Sequence, residues 1–414
     1  MKRISILLLV FCTCFSLAAW AQAQNKLHYT LIDLGTLGGS YSLVWSGASN
    51  AGWIAGDSGL PNDTADIAFL WHYGPMIDLG TLGGPNSYGV GTNDWGDAVG
   101  GAESSATDPL QEQFCYPDSY ICLPFFWQNQ LQTMTALPTI GGNNGVAWVI
   151  NDYAVIVGQA ENSKIDPTCV GTGSPQVLQI RAAMWNNGKV HELPLIKGDK
   201  LGAAFGINDW GQSVGTSAAG YCGATSHAVL WWNGRVIDLG NLGGTSTNEA
   251  QDINDFGQVV GISTLSDGVT VHAFLWQAGV MADLGTLPGD VWSHGNSINF
   301  KGHIVGTSGD ANGNERAFLW ENDVMTDLNT LLPPDSPVYL LEAHKINVWG
   351  QITVIGWNST LGEVHVYLAN PSSYQVMNEA AAERPKVTLP DNVRQQLKRH
   401  MGLGRFQGGM VRPQ

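Results

Sequence analysis

Asp238-Leu239-Gly240-Asn241-Leu242-Gly243-Gly244 is the phrase by which the rest of the chain is spaced. It returns nearly letter for letter as Asp33 to Gly39 and Asp78 to Gly84, and more loosely as Asp283 to Gly289, where Pro288 replaces a glycine. Degraded copies begin near Thr135, Glu192 and Asp327, so that seven copies divide residues 29–371. The segments between them are β-branched, aromatic and punctuated by glycine, which argues against a solenoid of helix pairs.

The fifth repeat shows the unit. Thr247 to Asn254 reads as a first strand, and Asp255-Phe256-Gly257 as a tight turn, because Asn, Asp and Gly tolerate the left-handed backbone that a hairpin needs. Gln258 to Ile262 is a second strand, Ser263 to Val271 a loop, His272 to Trp276 a third strand, and Val280 to Leu284 a fourth. Four short antiparallel strands in about 45 residues make one blade of a β-propeller. First strands end at Asn50, Asn93, Asn151, Asn208, Asn254, Asn299 and Asn347, so the expected fold is an all-β, seven-bladed propeller. The seventh repeat has a first strand (Leu341 to Ile346), a second (Gln351 to Gly356) and a third (Val364 to Leu368), but no fourth. A spare strand, Leu27 to Leu34, precedes the first Gly-rich phrase and is expected to complete blade seven, closing the ring and removing its exposed edges.

Residues 1–23 read as a secretory signal: Lys2 and Arg3, the apolar run Ile4 to Leu17, then the small-x-small site Ala21-Gln22-Ala23. The expected mature protein begins near Gln24 and is secreted, or periplasmic in a two-membrane cell. No later stretch is long and apolar enough to span a membrane. The chain carries 19 Lys+Arg against 35 Asp+Glu, a net charge of −16 with no basic footprint on its body, which argues against nucleic acid as a partner. Basic residues gather instead in 372–414, where Asp391 is placed to cap a short helix bearing Val393, Leu397 and Met401 on one face. This tail is expected to be disordered or briefly helical.

Beyond the leader stand Cys115, Cys122, Cys169 and Cys222, an even number that in an exported protein points to two disulfides. They fall in long second-to-third strand loops of blades two (102–121), three (160–180) and four (217–226), all on one face and in adjacent blades. That placement predicts a local pair, Cys115–Cys122, and a pair between blades, Cys169–Cys222.

The recurring order of Asp-Leu-Gly-Thr-Leu-Gly-Gly (Asp78 to Gly84), Ile-Asn-Asp-x-Gly-x-Val-Val-Gly (Ile253 to Gly261) and His-Ala-Phe-Leu-Trp (His272 to Trp276) resembles the bacterial extracellular repeat family named for its His-Ala-Phe (HAF) triplet. The resemblance reaches from the end of the leader to Pro371. It implies export and a propeller-like repeat, and brings no agreed catalytic residues. Repeats two and three depart from it with Leu123 and Arg181 in place of the His, and repeat four has lost the Gly-rich loop.

The glycines of the phrase do not read as a phosphate cradle, which needs a following helix; here a strand follows. They permit the crossing from one blade to the next. Asp33, Asp78, Asp238, Asp283 and Asp327 are expected to accept backbone hydrogen bonds near that crossing. Trp71, Trp127, Trp185, Trp231, Trp276 and Trp320 end third strands and are expected to pack between blades. His227, His272 and His365 lie a blade apart, too far for one metal ion. Asp310-x-Asn312-x-Asn314-Glu315 starts like a calcium loop, but its glycine spacing and terminal carboxylate are off. The expectation is therefore no metal and no cofactor.

Two sets of residues remain for function. Trp95, Tyr153, Trp210, Phe256 and Trp349 fall in the turn after the first strand, where they either form a docking ring or pack locally. Five residues before each anchoring Asn stand Trp45, Tyr88, Val146, Ala203, Glu249, His294 and Glu342. This position suits a site at a channel mouth, with Trp45, Tyr88, Glu249, His294 and Glu342 as ligand-binding candidates. The expected function is a binding or scaffolding module for an extracellular protein or glycan, without defined catalysis. The alternative is a carbohydrate-active hydrolase or lyase with Glu249 and Glu342 as acid and base and His294 as a second titrating group.

Overall fold

The computed structural model describes residues 25–375, 387–391 and 393–394. The leader, Leu397 and Met401 lie outside the described residues. Seven four-stranded antiparallel sheets follow one another in chain order and form a seven-bladed β-propeller. Blade five, the template repeat, consists of Gly243–Ile253, Val259–Leu265, Val271–Gln277 and Val280–Asp283. Among the described residues no helix is long and apolar enough to cross a membrane.

Blade seven is closed from both ends of the chain. Val338–Ile346, Ile352–Asn358 and Glu363–Gln375 supply three strands, and Asn25–Asp33 pairs antiparallel with the last of them, from Asn25 opposite Gln375 to Asp33 opposite Tyr367. Such pairing satisfies the backbone groups that an open ring would leave on two edges.

The anchoring asparagines explain both the hairpins and the spacing of the blades. In blade four, Asn208 Oδ1 accepts from the backbone N–H of Trp210 (3.2 Å) and Gln212 (3.0 Å), which folds its own turn. Its Nδ2 donates to the carbonyl of Asn254 in the next blade at 3.1 Å. Equivalent interblade bonds run from Asn93 to Asn151, Asn151 to Asn208, Asn254 to Asn299, Asn299 to Asn347, and Asn347 to Ser49. Blade one corrects the sequence register by one residue: Ser49, not Asn50, makes the turn-closing contacts, because Ser49 N bonds Trp53 O and Ser49 Oγ accepts from Trp53 N. Asn50 instead occupies the place held by Asp94, Asp152, Asp209 and Asp255 in other blades.

The Val-Val-Gly glycine has a steric cause. In blades two to six the innermost strand carries a β-bulge three residues before the anchoring Asn, leaving Val90, Trp148, Phe205, Gln251 and Asn296 without a cross-strand partner; His344 is bulged likewise in blade seven. The bulge brings a carbonyl against the second strand, and a Cβ on Gly261 would overlap the oxygen of Glu249. In the Gly-rich phrase, Gly240 and Gly243 adopt φ of 83° and 115°, values that side chains disfavour.

The repeated His and Asp form a clasp across the outer strands. His227 Nδ1 lies 3.0 Å from Asp238, His272 2.9 Å from Asp283, and His365 2.9 Å from Asp33. Arg181 with Glu192 (2.6 Å) and Arg316 with Asp327 (3.1 Å) make the same clasp where the His is absent. Each Asp also accepts the N–H two residues on, as Asp238 does from Gly240 at 2.9 Å. Trp71, Trp127, Trp185 and Trp231 are buried, and Trp185 and Trp231 donate to Pro138 O and Pro194 O in the preceding crossings. Each such indole contributes about 2–3 kcal/mol through burial.

Candidate functional site

The bulged residues, together with Trp45 of blade one, line the central channel. Trp45, Val90, Trp148 and Phe205 face one side, and Gln251, Asn296 and His344 the other, around a cavity of about 50 Å³. Trp148 meets both Trp45 and Phe205 edge to face, at centroid distances of 6.4 and 5.7 Å. The polar side continues with Asp252, whose Oδ2 accepts from Ser297 Oγ (2.7 Å), Ile298 N (3.1 Å) and Lys345 Nζ (2.9 Å). A cavity of this size holds a few waters and no sugar ring.

The five residues singled out in the sequence do not converge. Trp45 reaches the channel, as part of its aromatic side. Tyr88 is fully buried, its hydroxyl 3.3 Å from Cys115 Sγ and its ring edge-on to Tyr116. Glu249 is buried and accepts from Gln251 Nε2 at 3.1 Å; burial pushes its carboxyl up to about 8, against the lowering effect of that bond. Glu342 is buried beside His344, with Oε2 3.2 Å from Nε2. His294 is half-buried and packs on Trp292 at 4.7 Å. Among the described residues, Glu249, His294 and Glu342 do not form a cluster tight enough to hold one ion.

One face of the channel is covered by the long loops of blades two to four. Phe114, Cys115 and Tyr116 join Tyr88, Val90, Val146, Trp148, Leu201 and Phe205 in a single buried cluster. Both expected disulfides are formed: Cys115–Cys122 within the blade-two loop, and Cys169–Cys222 between blades three and four. Hydrogen bonds join the loops as well, with Asp166 Oδ2 accepting from Tyr221 N (2.7 Å) and Glu112 Oε1 from Val177 N and Leu178 N (both 2.7 Å). Of the tail, Val393 is buried in the cluster shared by blades one and seven, and Arg394 N bonds Pro390 O as one helical turn would.

The opposite face is open. Asp94, Asp152, Asp209 and Asp255 stand side by side at the other end of the channel, around a recess of about 160 Å³ that also takes in Asn50, Phe300 and Lys345. Each carboxylate accepts from the backbone of the blade before it: Ala51 N to Asp94 (2.8 Å), Asp94 N to Asp152 (2.9 Å), Asp152 N to Asp209 (3.3 Å) and Asp209 N to Asp255 (3.2 Å). Burial, then the neighbouring aspartates, raises the carboxyls of Asp152 and Asp209, even though each accepts a backbone bond. Around this mouth the turn aromatics are exposed, from 66 % for Trp95 to 74 % for Phe256, with Tyr153, Trp210 and Trp349 between. Trp95 Nε1 donates to Asp152 O (3.1 Å) and Trp349 Nε1 to Asn50 O (2.9 Å), so each indole leans over the next blade. The sequence alone favours local packing of these side chains; two of the indole N–H groups are bonded locally, but most of each of the five rings is left uncovered.

No protein-family model and no curated protein matches the chain. Among solved structures it is similar to the β-propeller domain of the trilobed protease from Pyrococcus furiosus, at 13% identity and a TM-score of 0.46, over 69% of this chain and 83% of that one. It is similar to an oligogalacturonate lyase from Vibrio parahaemolyticus at 10% identity and a TM-score of 0.48, over 84% and 96% of the two chains. A prolyl endopeptidase is matched at 9% identity and a TM-score of 0.48, over 85% of this chain and about half (51%) of that one. At these levels the likeness concerns the fold alone.

Proposed function

We propose that this protein is an exported binding module of the HAF-repeat kind, whose contact surface is the ring of turn aromatics around the aspartate mouth, and whose ligand is a neutral or amino-bearing glycan. The observation that carries the reading is the ring of five exposed aromatic side chains on a face that the fold gives no reason to leave apolar. Aromatic faces stack on the C–H faces of sugars, and the carboxylates between them accept hydrogen bonds from hydroxyl or ammonium groups. Four aspartates at the mouth disfavour glycans that carry carboxylate or sulfate groups. Two disulfides and the N-terminal leader pattern support an extracellular or periplasmic setting.

The hydrolase or lyase alternative draws less support. Glu249 and Glu342 are buried, the channel between blades leaves about 50 Å³, and its loop-bearing face is covered. A glycan array probed with the wild type and with a Trp95→Ala, Trp210→Ala, Trp349→Ala triple variant tests the proposal. Binding to neutral or amino sugars that drops at least about tenfold in the variant is the expected result. Equal binding by both proteins, or binding by neither, would overturn it.

A further inference from the structure

The broken repeats hold a polar cluster apart from both ends of the channel. Asp108 and Glu112 come from the blade-two loop, and Glu161 from the second strand of blade three, Ile156–Ile165. All three are buried, and one carboxylate oxygen from each lies within 4.8 Å of the others. Oxygens that share one calcium ion at 2.3–2.6 Å are separated by no more than about 5 Å, so the spacing is that of a coordination shell.

The hydrogen bonds hold this arrangement without neutralising it. Asp108 accepts from Leu110 N (2.6 Å), Asn143 Nδ2 (3.3 Å) and Asn144 Nδ2 (2.6 Å). Glu161 Oε2 accepts from Asn143 N, Asn144 N and Asn144 Nδ2 at 3.0–3.2 Å. Gln176 Nε2 donates to Glu161 Oε1 (2.8 Å) and Glu112 Oε1 (3.0 Å), which seats its amide between the two glutamates. No Lys or Arg among the described residues pairs with any of the three. Two oxygens are left over: Glu112 Oε2 and Gln176 Oε1 are buried and have no donor. Gln176 is 2 % exposed. Buried carboxylates without a counter-charge are costly, and unpartnered buried acceptors add to that cost. A hard divalent cation would meet both needs at once.

We infer that Asp108, Glu112 and Glu161 form a calcium site that fastens the blade-two loop to blade three, with the unpartnered Glu112 Oε2 turned to the ion and the Gln176 amide holding the two glutamates in place. The donors are all hard oxygens, with neither imidazole nor thiolate, which suits calcium over zinc or copper. Blade two supplies an internal contrast. Glu103 holds the equivalent strand position and accepts from Asn86 N (3.0 Å) and Asn86 Nδ2 (2.9 Å), as Glu161 does from Asn144. Its Oε1 is likewise buried without a donor, but its acidic neighbour, Asp118, is exposed, and among the described residues no third carboxylate joins the two. Blade three has the shell and blade two only half of it.

The test uses the full-length protein with its disulfides intact, stripped with a chelator and titrated with calcium, magnesium or manganese chloride by calorimetry, with metal analysis of the product. One calcium per chain with a Kd of about 10⁻⁵ to 10⁻³ M is expected, together with a rise in Tm of roughly 3–6 °C at saturating calcium. Glu112→Gln is expected to weaken calcium binding at least about tenfold, and Glu103→Gln to leave it unchanged. If Glu112→Gln does not fold, Gln176→Ala removes the amide that seats both glutamates and spares the carboxylates, with a severalfold loss expected. Terbium luminescence displaced by calcium in the wild type stands independently of both variants. No uptake of any of the three metals up to about 10 mM, with Tm unchanged, would overturn the inference. Calcium binding undiminished in both Glu112→Gln and Gln176→Ala would also overturn it.

Discussion

The two faces of the ring carry the same kinds of side chain and use them oppositely. On the loop-bearing face, Tyr88, Phe114 and Tyr116 are buried together under the insertions of blades two to four. On the turn face, Trp95, Tyr153, Trp210, Phe256 and Trp349 stand two-thirds or more exposed. The difference lies in the length of chain available to cover them. A 108–119 or 166–177 loop can fold back over the channel, whereas the Asn-Asp-x-Gly turn ends before it could cover its own third residue. Aromatic residues thus become core on one face and surface on the other.

Paired truncations sharpen this contrast most. Tyr88→Ala is expected to cost about 3–5 kcal/mol in chemical denaturation and to leave glycan binding at the turn face intact, because it empties a packed site. Trp210→Ala is expected to change stability by no more than about 0.5 kcal/mol while weakening that binding. If the two variants lost stability equally, the division into covered and open faces would fail.

The covered face also depends on its cross-links. Cys169–Cys222 closes a loop of 53 residues, for which chain entropy gives about 4 kcal/mol at 25 °C. Cys115–Cys122, with a separation of 7, gives about 2 kcal/mol by the same relation. Replacing each pair with serines and comparing denaturation midpoints should reproduce that order. Neither replacement should alter binding at the turn face, which lies at the other end of the channel.

The blade count, the strand order, the N-terminal closure and the disulfide pairs could all be read from the sequence, because copies of the Gly-rich phrase and of the turn after the anchoring Asn recur along the chain and number the inner strands. The channel lining could not. Counting back from Asn254 in steps of two reaches Asp252 and Ala250, and a straight strand would place Glu249 and Gln251 on the opposite face. The bulge at Gln251 breaks that parity and turns Gln251 into the channel, while Glu249 is buried beside it. A signal was present in Gly261, whose missing side chain makes room for the bulge, and in the varied residues three before each Asn. The carboxylate cluster of Asp108, Glu112 and Glu161 was hidden for a different reason. Two of its members sit in an insertion without a repeat to compare, and its assembly depends on how that loop folds over blade three.

Closure of the ring offers a smaller effect, and its sign can be worked out. His365, at the third strand of blade seven, bonds Asp33 at the end of the N-terminal strand (2.9 Å), and Glu363 lies 3.2 Å from its other nitrogen. Burial lowers the His365 pKa, but the Asp33 and Glu363 carboxylates outweigh it, and the net shift is upward. Asp33 is shifted downward, since the bonds from His365 and Gly35 outweigh its partial burial. The His365 contribution is complete below its unfolded value of 6.5 and fades as pH rises through the folded value. The Asp33 contribution is complete above its unfolded value of 3.8 and fades as pH falls through the folded value. Both act together between those two values, in mildly acidic solution. The difference in Tm between the wild type and His365→Gln should therefore be largest near about pH 5 and shrink towards about pH 8. The clasp in blade five, His272 with Asp283, joins neighbouring strands of one continuous chain. His272→Gln should consequently leave amide exchange in residues 25–33 unchanged, where His365→Gln accelerates it. Equal exchange in the two variants would show that strand pairing alone, from Asn25 to Asp33, holds the ring shut.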